Sequence, residues 1–149
     1  MKIVVIDGQG GSMGRIVVEQ LKRRLPQQEL IAIGTNSIAT AAMLRAGADR
    51  GASGENPVIV NVADADLIIG PIGLLAANAL LGEVTPAMAT AVGSARAWKV
   101  LIPAGRCRIR VAGVADLALG EYVRQAVDTV CALCADSAAA KKEENKDLA

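Results

Sequence analysis

The sequence contains no histidine and no phenylalanine, and it has one tryptophan and one tyrosine in 149 residues. Without histidine, the commonest general base and the commonest metal ligand of proteins are both missing. Bases of single-stranded nucleic acid would find few aromatic side chains to stack on, and the formal net charge of +1 provides no basic field. We therefore expect no nucleic-acid partner and no metal site.

Long apolar runs and export signals are also missing. An uncharged stretch at residues 67–82 is interrupted by Gly70, Pro71 and Gly73, which makes it too short and too broken for a transmembrane helix. Lys2 alone precedes the first apolar run, so we expect no signal peptide. Three cysteines, an odd number, favour reduced thiols. The sequence predicts a cytoplasmic protein with no membrane partner.

What the sequence does have is an alternation of apolar runs with helical patterns. Short, mostly β-branched runs predict six strands, at residues 2–6, 30–33, 58–62, 67–69, 99–102 and 108–114. Helical patterns predict five helices: one ends at Pro26, one follows Asn36 or Ser37, one spans residues 70–81, one begins at Pro86 and one spans residues 117–134. Residues 50–57 are predicted to form a loop.

This alternation indicates βαβ units with right-handed crossovers. The sequence predicts one α/β domain: a single doubly wound, mostly parallel sheet with helices on both faces, over residues 1–134. The charged tail, residues 135–149, is expected to fray or to be disordered.

The stretch KIVVIDGQGGSMGR, residues 2–15, carries the main functional signal. Gly8, Gly11 and Gly14 give G-x-x-G-x-x-G between a strand and a helix, and Gly8, Gly10 and Gly14 fit the looser G-x-G-x-x-x-G. Glycines in this context permit a tight turn, close approach of a pyrophosphate and helix–strand packing, while the N–H groups of the first helical turn face the anion. We predict phosphate or dinucleotide binding, with a ligand-free packing turn as the alternative.

Loops that leave parallel strands at their carboxyl ends share one edge of the sheet, and ligands bind there where the strand order reverses. That reversal is predicted between the first and the fourth strand. The predicted binding residues come from three such loops: Gly8, Gln9, Gly10, Gly11, Ser12, Met13, Gly14, Thr35, Asn36, Gly70, Pro71, Ile72 and Gly73.

Two resemblances follow from these motifs. Gly8–Arg15, ending in Met13-Gly14-Arg15, resembles the nucleotide loop of dihydrodipicolinate reductases and related dehydrogenases, which implies NADP or NAD as the cofactor. Over its whole length the sequence is similar to a family of small bacterial proteins of unknown function, which implies a Rossmann-like fold and no established activity. The second resemblance rests on Ile6–Gly11, Gly34–Asn36, Ile69–Gly73 and Gly82–Pro86.

Two features bear on the identity of the ligand. A ribose-binding acid is expected after the second strand, but Thr35 and Asn36 stand there, and these neutral groups favour NADP slightly over NAD. Asp7 at the mouth of the loop either bonds loop amides or contacts Mg²⁺, and we favour the amides. Asp7 followed by glycines also resembles the first motif of S-adenosylmethionine-dependent methyltransferases.

No catalytic residue is assigned. Asp7, Glu55 and Glu83 are the carboxylates that reach the binding edge, no two are paired for acid–base work, and Glu83 is interpreted as a helix-start feature. We expect a binding or regulatory module for a small phosphorylated ligand, forming a homodimer. The alternatives are a small oxidoreductase whose substrate site a dimer completes, an S-adenosylmethionine-binding protein, and a scaffold subunit for interactions.

Two further patterns have a structural interpretation. Cys131 and Cys134 lie within a predicted helix and are interpreted as buried apolar thiols rather than a redox or metal pair. Arg106, Arg108 and Arg110 alternate, which favours a charged edge strand over a row that binds phosphate or a partner.

Overall fold

The computed structural model describes residues 1–104 and 108–147, with side chains through residue 143. The regular elements follow one another in the order β1 (Ile3–Asp7), α1 (Ser12–Arg24), β2 (Leu30–Gly34), α2 (Ser37–Arg45), β3 (Arg50–Ser53), α3 (Glu55–Val62), β4 (Leu67–Pro71), a short 3₁₀ helix (Ile72–Leu75), α4 (Pro86–Ser94), β5 (Trp98–Ile102) and α5 (Leu119–Asp147). No helix in these ranges combines the length and the hydropathy that crossing a bilayer requires.

The strands of the described residues form one sheet with the order β3-β2-β1-β4-β5, and every neighbouring pair is parallel. The strand order reverses between β1 and β4, as the sequence predicts. Because Asp7 of β1 pairs with Gly34 of β2, the loops that leave these two strands start side by side. The doubly wound, Rossmann-like fold is confirmed, and it brings the carboxyl ends of β1, β2 and β4 to one edge.

Two apolar layers hold the helices to the sheet. Ile3 and Val5 of β1 contribute to a core with α1, α2 and α5, while Val4 and Ile6 contribute to a second core with α3 and α4. Successive residues of a strand point to opposite faces, so a continuous apolar run serves a sheet that is covered on both sides. The short run Ile3–Ile6 is fully buried for this reason.

Residues 50–62 differ from the sequence prediction. The predicted loop contains strand β3, and the predicted strand at residues 58–62 belongs to helix α3. The β-branched run is misleading because Val58 and Val62, four residues apart, are the buried positions, whereas Val60 is 57% exposed. That is the spacing of one helix face. Strand β3 lies at the sheet edge with mostly exposed residues, so it carries no apolar signal.

The helix predicted at residues 70–81 is also wrong. Only the 3₁₀ turn Ile72–Leu75 forms, and the chain then reverses through Asn78, Leu80 and Leu81, which all have positive φ. The Asn78 N–H donates to the Val84 carbonyl (2.7 Å), which closes the reversal. We call residues 76–84 the covering segment. Leu74 on the 3₁₀ helix and Val84 at the end of the covering segment are both buried in the core.

No strand forms at residues 108–114, where each side chain is exposed, so the predicted sixth strand is wrong for this part. Arg108 has a φ of 53°, a left-handed conformation incompatible with an extended strand. Arg106 and Cys107 lie outside the described residues. Helix α5 runs past the predicted end at Cys134 to Asp147, and the fraying of residues 135–149 stays a prediction.

Candidate functional site

The glycine loop, residues 8–11, connects β1 to α1 beside the point where the strand order reverses. Packing explains Gly11 of this loop and Gly14 in the first turn of α1. A Cβ at Gly11, which has a φ of 70°, would lie 2.6 Å from Ala39 Cα, and one at Gly14 would lie 2.6 Å from Met43 Sδ. Gly10 is different, because a Cβ there would meet nothing within 4 Å. Packing therefore accounts for Gly11 and Gly14, and leaves Gly10 open to a ligand.

Asp7 turns its carboxylate back onto the loop. The Gly8 N–H donates to Oδ1 (2.8 Å) and the Gly14 N–H donates to Oδ2 (2.7 Å), and the side chain is 6% exposed. Burial raises the pKa of Asp7 above its ordinary value, the two N–H groups oppose this, and the charge of Glu83 adds to it. The contacts with loop amides are those favoured from the sequence.

Glu83 lies on the other side of the loop. Its Oε2 accepts hydrogen bonds from the Gln9 N–H (2.7 Å), the Asn36 amide (3.1 Å) and the Thr35 hydroxyl. The interpretation of Glu83 as a helix-start feature is therefore wrong. Thr85 is the N-cap of α4 and accepts from the Met88 N–H. Partial burial of Glu83 raises its pKa, but the three hydrogen bonds outweigh it and hold the pKa below its ordinary value.

A crevice of about 360 Å³ opens on the β4 side of the loop. The carboxyl ends of β1 and β4, the covering segment and the start of α5 surround it. Its lining residues are Asp7, Gly8, Gln9, Gly10, Ser12, Met13, Pro71, Leu80, Ala104 and Leu119. The volume lies in the usual range of small-molecule sites, about 300–1,000 Å³.

Two backbone donors of this crevice are available to a ligand. Within residues 1–104 and 108–147, the N–H groups of Gly10 and Ser12 have no hydrogen-bond partner. Ser12 is the first residue of α1, and its N–H belongs to the positive end of the helix dipole. The arrangement suits an electronegative group of a ligand.

The thirteen predicted site residues are only partly brought together. Gly8, Gln9, Gly10, Ser12, Met13 and Pro71 line the crevice. Thr35 and Asn36 lie across the loop and contact Glu83, and the Asn36 amide also donates to the Gln9 carbonyl (2.9 Å). Gly70 and Gly73 are buried, with Gly70 packed against the Ile6 carbonyl. Thr35, Asn36, Gly70 and Gly73 therefore lie at the same edge of the sheet but do not line the crevice.

A second cavity, of about 470 Å³, lies between β5, residues 111–117 and α5, and Ile72 lines it. Its walls are largely apolar. The hydroxyl of Tyr122, one of its polar groups, donates to the Ala115 carbonyl (2.5 Å) and accepts from the Leu117 N–H (3.1 Å). This cavity is larger than the glycine-loop crevice, but it lies on the β5 side of the sheet and not at the loop that leaves β1.

Cys131 and Cys134 are free thiols on α5, partly buried against the apolar core. Burial raises the pKa of Cys134, and the neighbouring Cys131 adds to the shift. Raising the pKa disfavours the reactive thiolate. In the described residues, no three Cys, Asp or Glu side chains come close enough to hold a metal ion.

A family model described as a domain of unknown function, DUF3842, matches residues 2–135. The chain belongs to this family. The match spans both sides of the glycine loop, the covering segment and most of α5 up to residue 135. No match was found among curated proteins or solved structures. The function of this DUF3842 member therefore has to be inferred from its fold and from the geometry of its site.

Proposed function

We propose that this DUF3842 protein binds a nucleotide in the crevice at the carboxyl edge of its sheet. The observation that carries the proposal is that Gly10 and Ser12 line a 360 Å³ crevice and that their N–H groups have no partner among the described residues. Doubly wound sheets bind ligands outside the carboxyl ends of their strands where the order reverses. Helix N-termini at such points bind phosphate.

The ligand we favour is a dinucleotide, NAD(H) or NADP(H). The resemblance of Gly8–Arg15 to the loop of dihydrodipicolinate reductases supports this choice. The crevice extends from the loop towards Pro71 and Leu119, which leaves space beyond a phosphate for a further group. A smaller phosphorylated ligand would use the same donors.

The proposed role is binding or regulation rather than catalysis. Asp7 is the one carboxylate among the described lining residues, and its two oxygens accept N–H bonds from Gly8 of the loop and Gly14 of α1. A general base needs a free acceptor within reach of the substrate. The oxidoreductase and scaffold alternatives stay predictions, as do the homodimer and the cytoplasmic location.

S-adenosylmethionine is a second candidate ligand, and one observation favours it. Asp7 uses the N–H groups of Gly8 and Gly14, which a diphosphate would otherwise share, and its negative charge lies on the crevice. A cationic ligand without phosphate would avoid repulsion by that carboxylate.

Isothermal titration calorimetry and thermal shift with NAD⁺, NADP⁺, ATP, S-adenosylmethionine and inorganic phosphate test the proposal. A ligand that binds the folded chain stabilises it by about 2.7 kcal/mol at a hundred times its Kd. Gly10→Val adds bulk where the structure leaves open space, so we expect binding to be lost while the fold is kept.

Gly93→Val on α4 is the matched control, because it makes the same change on an exposed position away from the loop. This variant should bind like the unaltered protein. The proposal fails if none of the nucleotides binds, or if Gly10→Val binds as tightly as Gly93→Val.

A further inference from the structure

An acidic side chain lies after β2, although the sequence has none there. In dinucleotide-binding sheets, an acid at the end of the second strand hydrogen-bonds the ribose 2′-hydroxyl. Thr35 and Asn36 occupy that place in the chain, and the covering segment brings Glu83 onto both of them. The acid is supplied by a residue 48 positions after Thr35.

We propose that Glu83 is a specificity-determining residue that accepts a hydrogen bond from the ribose 2′-hydroxyl, so that the site takes nucleotides with an unmodified ribose and rejects a 2′-phosphate. This inference rests on the proposed nucleotide function and deepens it. It also reverses the preference for NADP that the sequence favours, which depended on Thr35 and Asn36 being neutral.

The hydrogen bonds of Glu83 hold the carboxylate in place and leave one oxygen for a ligand. Oε2 accepts all three bonds from Gln9, Thr35 and Asn36, and Oε1 accepts none within residues 1–104 and 108–143. Gln9 directly follows the first glycine of the loop, so the carboxylate is fixed next to the backbone that borders the crevice.

Charge favours the same selection. In the described part of the chain, no lysine or arginine forms an ion pair with Glu83, and Asp7 lies near enough to interact with it. A 2′-phosphate next to Glu83 would therefore be repelled by the charges of Glu83 and Asp7. Repulsion of this kind discriminates between ligands as effectively as added contacts.

Gly8 is part of this arrangement. A Cβ at position 8 would lie 2.8 Å from Glu83 Oε2 and 2.6 Å from Thr35 Oγ1. A side chain here would push the carboxylate away from the end of β2. The glycine that follows Asp7 thus has a physical role in seating the acid, besides its role in the turn.

The experiment compares ligands that differ at the 2′ position, using calorimetry on the full chain. The pairs are NAD⁺ with NADP⁺ and ATP with 2′-deoxy-ATP, and S-adenosylmethionine tests a ribose without phosphate. We expect the unmodified ribose to bind about 10- to 100-fold more tightly in each pair, the value of one hydrogen bond to a charged group.

Glu83→Gln keeps the size of the side chain and removes its charge, so the preference for NAD⁺ over NADP⁺ should fall by about tenfold or more. Glu55→Gln is the matched control, because Glu55 is an exposed carboxylate that accepts a hydrogen bond from Thr85 instead. It should leave the preference unchanged. Circular dichroism checks that both variants fold, and if Glu83→Gln does not, the ligand pairs on the unaltered protein decide.

The outcomes separate the two proposals. If no nucleotide binds, the proposed function fails and the role of Glu83 fails with it. If nucleotides bind but NADP⁺ equals or exceeds NAD⁺, or if folded Glu83→Gln keeps the full preference, nucleotide binding stands and the role of Glu83 is overturned.

Discussion

The glycine loop has two sides, and they differ in how their polar groups are satisfied. On the β2 side, Glu83 accepts hydrogen bonds from Gln9, Thr35 and Asn36. On the β4 side, Gly10 and Ser12 line a crevice, and their N–H groups have no partner among the described residues. A polar group without a protein partner at a concave site is where a ligand gains most. In our proposal, the β2 side selects the ligand and the β4 side anchors it.

The largest loss of stability is expected from Gly11→Val, because the backbone of Gly11 packs closely against Ala39 of α2. A φ of 70° disfavours any side chain, and the new Cβ would lie 2.6 Å from Ala39 Cα. We expect a loss of about 3 kcal/mol or more in the free energy of unfolding, measured by urea denaturation. Gly10→Ala is the control, with open space and a loss under about 1 kcal/mol. Equal losses of stability in the two variants would show that Gly11 is packed no more closely than Gly10.

Asp7→Asn tests a carboxylate that is connected with both sides of the loop, because Asp7 lines the crevice and its pKa is raised by the charge of Glu83. Both carboxylate oxygens accept N–H bonds, so an asparagine amide must place its own N–H against a donor. The free energy of unfolding should fall by about 1–3 kcal/mol at pH 7, in spite of the removal of a buried charge. Stability equal to or above that of the unaltered protein would mean that the charge costs more than its bonds contribute.

Thr35→Val probes the β2 side alone. The valine keeps the shape of the side chain and removes the hydroxyl that donates to Glu83. We expect a loss of about 0.5–1.5 kcal/mol, with a weaker preference for an unmodified ribose. Thr90→Val on α4 is exposed and should change neither quantity. If Thr35→Val leaves the ribose preference unchanged, the Thr35 hydroxyl does not help to position Glu83.

The smallest effect concerns the coupling of the two acids and is read by NMR titration. The charge of Glu83 contributes to the raised pKa of Asp7, so Glu83→Gln should lower the pKa of Asp7. The lowered pKa of Glu83 itself stabilises the fold above its ordinary pKa of 4.5, and this contribution is lost as the pH falls through the folded value. An Asp7 titration identical in both proteins would show that the two sides are electrostatically independent.

Most of the fold follows from the sequence, because buried parallel strands leave a clear signal. The runs at Ile3–Ile6, Leu30–Ile33 and Leu67–Ile69 are fully or nearly buried on both faces, and each one is found as predicted. Strand β3 at the sheet edge has no such run, and α3 has valines that imitate one. The two errors at residues 50–62 arise because neither element is buried on both sides.

The candidate site is predictable to the extent that it is local in sequence. The motif Gly8–Gly14 follows from one stretch of fourteen residues, and its position at the strand reversal follows from the topology of doubly wound sheets. The placement of Glu83 depends on left-handed conformations at Asn78, Leu80 and Leu81, none of them glycine, and these conformations have no reliable sequence signal. An acid missing after β2, together with an unassigned acid elsewhere on the same edge, was the available clue.

The hydrogen bond from the Gln9 N–H to Glu83 joins residues 74 positions apart, one in the loop after β1 and the other in the covering segment after β4. A chain emerging from the ribosome therefore lacks this bond until β4 and the covering segment have been synthesised. The Gln9 amide is consequently a natural reporter of assembly: its exchange with deuterium should slow only when the covering segment has docked on the loop.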